Sequence, residues 1–317
     1  MLKYIFKRLV AAVITLFIIL TIAFFVVRLM PGSVFDDPNL PAEVVAVLEQ
    51  KAHLDKPIPV QYFYFLKGVI MENDWGTSVK VAPGVPAFEV LWEKIPVSLA
   101  INFISLLIAI PIGIAAGICA ALKKNGKIDT MISMGVILGI SIPSFVFATC
   151  LQYFLAFQFG WFPILYEPTA AAGRKAISLI LPIVALALGP IATITRYLRG
   201  ELIEVLSSEY MVLARTKGLT RTQATVRHSL RNSAVPLMNV IIPMFANVLG
   251  GSLVVERMFS IPGVGGLMIQ AINANDHSLT VATLIFYAMI SILTVLVVDL
   301  SYGLVDPRVR VGGKKDE

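Results

Sequence analysis

The chain has 317 residues, 57% of them hydrophobic and only 15% charged, with a formal net charge of +6. Soluble domains carry about 25% charged residues, so this much apolar surface needs lipid around it and the composition excludes a soluble globular domain. The positive balance fits the basic cytoplasmic loops of a membrane protein, and no nucleic-acid partner is expected.

The first predicted element is an apolar run over 9–27, free of charge. As a helix it reaches about 29 Å, against a hydrocarbon core of about 30 Å. Lys3, Lys7 and Arg8 precede it, and Arg28-Leu29-Met30-Pro31 close it. Signal peptides have apolar cores of about 7–15 residues, so this run is expected to stay as an uncleaved first helix. An external segment over 30–95 follows, with nine carboxylates: Asp36, Asp37, Glu43, Glu49, Asp55, Glu72, Asp74, Glu89 and Glu93. Within it, 42–51 reads as a short amphipathic helix and 61–71, apolar and aromatic, as a second. The segment is either a small cap on the outer mouth or a docking surface for an external partner.

Five further spans are predicted over 96–122, 131–159, 177–195, 235–255 and 279–298, six in all. The second and third exceed about 25 residues and are expected to tilt, kink or run past the lipid. Pro111, Pro143, Pro182, Pro190 and Pro243 fall inside spans, where packed neighbours can satisfy the freed carbonyls. The pairs Gly113 with Gly117, and Gly135 with Gly139, have the spacing that lets helices approach closely, and are read as packing. Cys119 and Cys150 lie in apolar runs and read as small hydrophobes. His53, His228 and His277 are scattered, so no metal site is expected.

With the N-terminus inside, 17 of the 26 Lys and Arg residues fall on the inner side, which is the expected bias. Both termini and the loop over 196–234 are therefore expected in the cytoplasm. Arg174 and Lys175, at the outer end of the fourth span, run against this. There is no phosphate-cradling G-x-x-x-x-G-K-[ST], no H-E-x-x-H, no G-x-S-x-G and no kinase signature. The spans carry charge only at their ends, at Arg28, Arg196 and Asp299, whereas carriers driven by ions hold ionisable groups deep in the membrane. The chain is expected to be no enzyme and to borrow its engine.

The loop over 209–232 offers the place for one. Seven basic residues lie between Arg196 and Arg231. Ser208 and Glu209 open a helix that Gly218 stops. Thr220 can cap the next, which runs through Gln223, Val226 and Leu230 until Pro236 opens the fifth span. Locally this is a helix–turn–helix on the cytoplasmic face, held to anionic lipid by its arginines or offered to a protein.

The strings Ala214-Arg215-Thr216-Lys217-Gly218-Leu219 and Arg227-His228-Ser229-Leu230-Arg231-Asn232 resemble the cytoplasmic loop of ABC importer permeases of the oligopeptide/dipeptide/nickel branch. The general importer pattern is met only at Ala214, Gly218 and Leu230; the branch pattern, A-R-x-K-G and R-H-x-L-R-N, is met throughout. Tyr4-Ile5-Phe6-Lys7-Arg8-Leu9, Met30-Pro31-Gly32, the run from Glu256-Arg257-Met258 to Gly263-Val264-Gly265, and Asp306-Pro307-Arg308-Val309-Arg310 are similar to the branch as well. The resemblance therefore covers nearly the whole chain.

It implies an all-α integral membrane permease subunit, one transmembrane domain over 1–317: the first helix at 1–29, the external segment at 30–95, and a five-helix core at 96–317 containing the coupling loop. It implies a second, similar permease subunit as partner (a heterodimer by family habit), two ABC ATPase subunits that hold ATP and magnesium, and an external substrate-binding protein. This chain itself would bind no cofactor. The membrane would be the inner or plasma membrane of a prokaryote. Peptides are the expected cargo, with nickel and glutathione carried by the same branch. The rival class is a non-transporting anchor or signalling subunit that recruits a cytoplasmic partner. Coupling to the ATPase would fall on Tyr210, Ala214, Arg215, Lys217, Gly218, His228, Arg231 and Asn232, with Ala214 and Gly218 small enough for close approach. The outer stretch Pro262, Gly263, Val264 and Gly265 reads as too Gly-rich for a continuous helix, with 267–271 helical. It is either a packed loop or part of an external gate.

Overall fold

A computed structural model describes residues 2–31, 34–35, 41–225, 229–248 and 252–305. From the N-terminus, α1 (Leu2–Arg28) carries the first apolar run; α2 (Ala42–Lys51) and α3 (Ile58–Lys67) follow, α3 continuing as a π-turn over Gly68–Glu72. α4 (Ala87–Leu122) is continuous through Pro96 and Pro111. Next come α5 (Lys127–Ser141), α6 (Ser144–Leu151) with a π-helical extension over Gln152–Gln158, α7 (Ala172–Ser178) and α8 (Ile180–Leu206). α9 (Glu209–Thr216) and α10 (Arg221–Ala224) make a hairpin beyond α8, before α11 (Leu230–Asn247), α12 (Leu253–Met258), α13 (Val264–Asn273) and α14 (His277–Val305). No strand occurs among the described residues. The face with the α9–α10 hairpin is termed the hairpin face, and the face with α2 and α3 the cap face.

Six spans were expected. Among the described residues four stretches are each long and apolar enough to cross a bilayer: Phe6–Arg28, Ala87–Leu122, Ala172–Leu206 and His277–Asp299. The third expected span is broken into two helical pieces that meet at 106°. Proline disfavours helical torsions in the residue before it, and Ile142, before Pro143, is extended with ψ 121°. The helix stops at Ser141 and restarts at Ser144. The fifth expected span is α11, which begins six residues before Pro236 and ends at Asn247; its apolar part is Pro236–Phe245. α8 runs on past Arg196 and Arg199, where the loop was expected to start.

α4 and α8 form the central pair of the bundle. A Cβ on Gly113 would lie 2.8 Å from Ile194 Cβ, and one on Gly117 would lie 3.0 Å from Leu198 Cβ. The first glycine pair thus sets how closely these helices approach. In the second pair only Gly139 makes such a contact, with Ala192, while Gly135 faces open space.

At the hairpin face α8 is tied to α5. Arg199 Nε and Nη2 donate to the two carboxylate oxygens of Asp129 at 2.6 and 2.8 Å, and the Asn125 amide donates at 2.9 Å. The Asp129 side chain is 4% exposed and that of Arg199 31%. Breaking a buried pair leaves an unmatched charge; with Arg199 partly wet, Asp129→Ala is expected to cost about 2–3 kcal/mol. The thermal midpoint of the solubilised protein should fall by roughly 3–6 °C. An unchanged midpoint would rule out a structural role for the pair. On the same face Arg8 pairs with Asp299 at 3.0 Å, joining the ends of α1 and α14.

The cap face is sewn together around Asp276. Its Oδ2 accepts from the Ser78 hydroxyl at 2.6 Å and from the amides of Val79, Lys80 and Val81 at 3.0–3.1 Å. Its Oδ1 accepts from Leu279 in the first turn of α14. One carboxylate thus fastens the segment before α4 to the α13–α14 corner. α3 packs along the last turns of α1, with the Tyr62 hydroxyl 2.6 Å from that of Thr21 and the Phe65 ring stacked on Phe24. Arg174, the basic residue that ran against the charge bias, is held by both carboxylate oxygens of Glu167. The guanidinium keeps that carboxyl below the usual carboxylate range.

Candidate coupling hairpin and cap-face loop

α8 ends at Leu206, and Ser208 turns the chain by donating from its hydroxyl to Val205 O at 2.6 Å. Glu209 begins α9, where a carboxylate suits the helix dipole. The end of α9 is a Schellman arrangement: Gly218 has φ +90°, and the Leu219 amide returns to Ala214 O at 3.4 Å. A capping box then opens α10, the Gln223 amide bonding Thr220 Oγ1 at 3.3 Å and the Thr220 amide bonding Gln223 Oε1 at 3.1 Å. Met211, Ala214 and Ala224 make a small core with Leu206 and Leu219. The Ser229 hydroxyl donates to Met211 Sδ at 3.2 Å. The hairpin is a stiff unit on the end of α8.

The expected site residues fall differently within it. Ala214 is 8% exposed and belongs to the hairpin's own core. Gly218 has no atom of this chain within 4 Å of where a Cβ would stand, and within the chain it serves through its positive φ. Lys217 is exposed, and so is Asn232 on α11. Tyr210 and Arg215 lie on α9 and Arg231 on α11. His228, Arg227, Gly32 and the stretch 306–310 lie outside the described residues.

Residues that the sequence reading passed over stand outward on α9: Val212 is 61% exposed and Leu213 56%. The signal was there. Met211, Val212, Leu213 and Ala214 are apolar in succession, while one helix face can bury only positions three or four apart. Met211 and Ala214 fill that face, which leaves two apolar side chains facing away from the hairpin core.

On the cap face, α12 and α13 form a tight corner. The Glu256 side chain is fully buried. It accepts from the Gly265 amide at 2.9 Å and the Ser252 amide at 3.3 Å, and it bonds the Ser98 hydroxyl. The same Ser98 oxygen accepts from the Val264 amide at 2.9 Å. Of the four expected loop residues, Pro262 is exposed, and Gly263, Val264 and Gly265 are buried. The helix starts at Val264 and includes Gly265 and Gly266, against the expected loop. Two helical glycines cost about 2 kcal/mol relative to alanine. Close packing explains their presence, since a Cβ on Gly265 would lie 2.6 Å from Leu253 Cα.

Residues 109–311 match the family described as binding-protein-dependent transport system inner membrane component, and residues 1–100 match the family of its N-terminal part. The chain is 38% identical over 312 residues to the dipeptide transport system permease protein DppB of Lactococcus lactis subsp. cremoris, covering 98% of this chain and 100% of the relative. It is 37% identical over 315 residues to DppB of Bacillus subtilis, covering 99% and 100%. It is 36% identical over 311 residues to the oligopeptide transport system permease protein OppB of Haemophilus influenzae, covering 98% and 100%. Among solved structures, a chain of the MetNI methionine ABC transporter in an inward-facing form matches with TM-score 0.51 and 21% identity, over 71% of this chain and 98% of that one. At that identity the likeness concerns the fold alone.

Proposed function

Because this chain belongs to the family of binding-protein-dependent transport inner membrane components, we propose that it is the permease half of an ABC importer that carries peptides. Membership makes it a multi-pass protein of the bacterial inner membrane that works with ATPase and substrate-binding subunits. The names of its relatives support peptides as cargo. The observation that carries the mechanical reading is the stiff α9–α10 hairpin with Val212 and Leu213 facing outward. An apolar pair on a short polar hairpin suits a groove in a partner protein, and a helix fixed at both ends passes displacement on instead of absorbing it.

On this reading the hairpin face is cytoplasmic, as are both termini. α11, with 18 residues, reaches about 27 Å and serves as a short crossing that local bilayer thinning accommodates. With the broken α5–α6 unit as another, the total is six. A second permease, preferably a different chain, completes the path, and two ATPase subunits hold ATP and magnesium. Tyr210, Arg215, Lys217, Arg231 and Asn232, and by sequence His228, are the polar residues that would meet the ATPase.

Two measurements test the proposal. A β-branched residue at Gly218 costs about 1–3 kcal/mol through its left-handed torsion. Gly218→Val should lower both ATPase co-purification and uptake, and normal values for both would sink the coupling role. Uptake by cells relying on this permease should be competed by excess dipeptide or oligopeptide. Competition by nickel or glutathione instead, with none by peptides, would overturn the cargo.

A further inference from the structure

A cavity of about 650 Å3 opens on the cap face, between the end of α1, α3, the segment before α4 and the start of α14. Arg28 lies in its wall, half-buried, over the Phe24 ring at 5.4 Å. Its Nη1 donates to His277 Nδ1 at 3.2 Å. An imidazole that accepts there is neutral and returns no negative charge. No carboxylate among the described residues lies within ion-pair distance of Arg28. Among the described residues the charged lining comprises Arg28, Lys51 and Lys67 against Glu72 and Asp74, so cations exceed carboxylates there. A half-buried guanidinium with no carboxylate at ion-pair distance among the described residues calls for an anion.

Depth says where that anion comes from. Arg28 ends the apolar run of α1, at the boundary of the hydrocarbon. Tyr62 on α3 reaches Thr21, seven residues and about 10 Å below Arg28 along α1. α3 therefore lies partly in the acyl layer, and it and its π-turn turn Phe63, Ile70 and Met71 outward, as an interfacial helix does. Tyr64 and Trp75 line the cavity, and such rings favour headgroup depth. A cavity at this level beside an embedded helix opens onto lipid headgroups.

We propose that this cavity is a phospholipid headgroup site, with a lipid phosphate on the Arg28 guanidinium. It rests on the membrane orientation given above and not on the cargo. The test uses the assembled transporter in bilayer discs of phosphatidylethanolamine and phosphatidylglycerol, released for native mass spectrometry. The wild type should keep one phospholipid after the surrounding lipids are stripped. Arg28→Gln should lose it, Arg28→Lys should keep it, and Ala52→Trp, which fills the exposed rim of the cavity, should lose it with Arg28 intact. Equal retention in wild type and Arg28→Gln would overturn the site. So would equal retention of a phosphate-free glycolipid. Displacement of the lipid by excess inorganic phosphate would assign the site to a free anion and overturn the lipid. Since peptide competition of uptake is measured separately, loss of the cargo reading leaves this result standing, and the reverse holds too.

Discussion

Leu213→Glu is expected to leave the permease folded in the membrane and to cut ATP-driven uptake by at least about tenfold. The side chain is 56% exposed and takes no part in the hairpin core of Met211, Ala214 and Ala224, so the fold has little reason to respond. Burying a leucine in a partner's groove contributes about 1.5–3 kcal/mol, and a tenfold change in binding corresponds to about 1.4 kcal/mol. A carboxylate in that place loses the apolar gain and must also be desolvated. Co-purification of the ATPase should fall in parallel, with the thermal midpoint of the permease unchanged. Lys217→Gln, on the exposed rim, should change uptake by less than about threefold, since rim charges contribute little. Full uptake in Leu213→Glu would show that α9 meets its partner by another surface.

The second large effect lies at Gly265. A Cβ there would stand 2.6 Å from Leu253 Cα, 2.9 Å from Leu253 N and 3.0 Å from Glu256 Oε2. Two of these are backbone atoms that cannot swing aside. Gly265→Val therefore has to part α12 from α13, which breaks the amide-to-carboxylate bond of Gly265 to Glu256. Overpacking costs about 1–3 kcal/mol, and losing a bond to a buried charge about 1.5–3 more. Little mature protein should reach the membrane, and what does should transport nothing. Glu256→Gln keeps the shape and weakens the bonds, so an intermediate loss of stability is expected. A Gly265→Val protein with normal membrane level and uptake would mean that the corner is open in the working transporter.

How much of this was legible beforehand depended on how far apart the partners lie in the chain. The long helices follow from uninterrupted apolar runs, and α2 from its local pattern. The turn of the hairpin was readable because Gly218, Thr220 and Gln223 act on their immediate neighbours. The break at Pro143 had its signal in Ile142-Pro143, but the apolar run on either side spoke for one span. The carboxylates were opaque. Asp129 looks like any acid in a first helical turn, yet its partner Arg199 is seventy residues away. Glu256 looks like a solvated loop acid, yet it folds the corner that holds Gly265. Ala214 and Gly218 were both singled out as small; within the chain Ala214 packs in the hairpin core and Gly218 holds a left-handed torsion.

The Asp276 carboxylate has a consequence for grafting. The segment before α4 delivers to it the Ser78 hydroxyl and three successive backbone amides. Amides are supplied by almost any sequence, so the recipient demands one hydroxyl and the shape of a four-residue turn. A chimera that imports a foreign external segment should be accepted wherever that turn is retained at 78–81, however different the rest of the insert. Conversely, an insert with proline at 79, 80 or 81 would arrive one donor short and hang loose from the body that is meant to hold it.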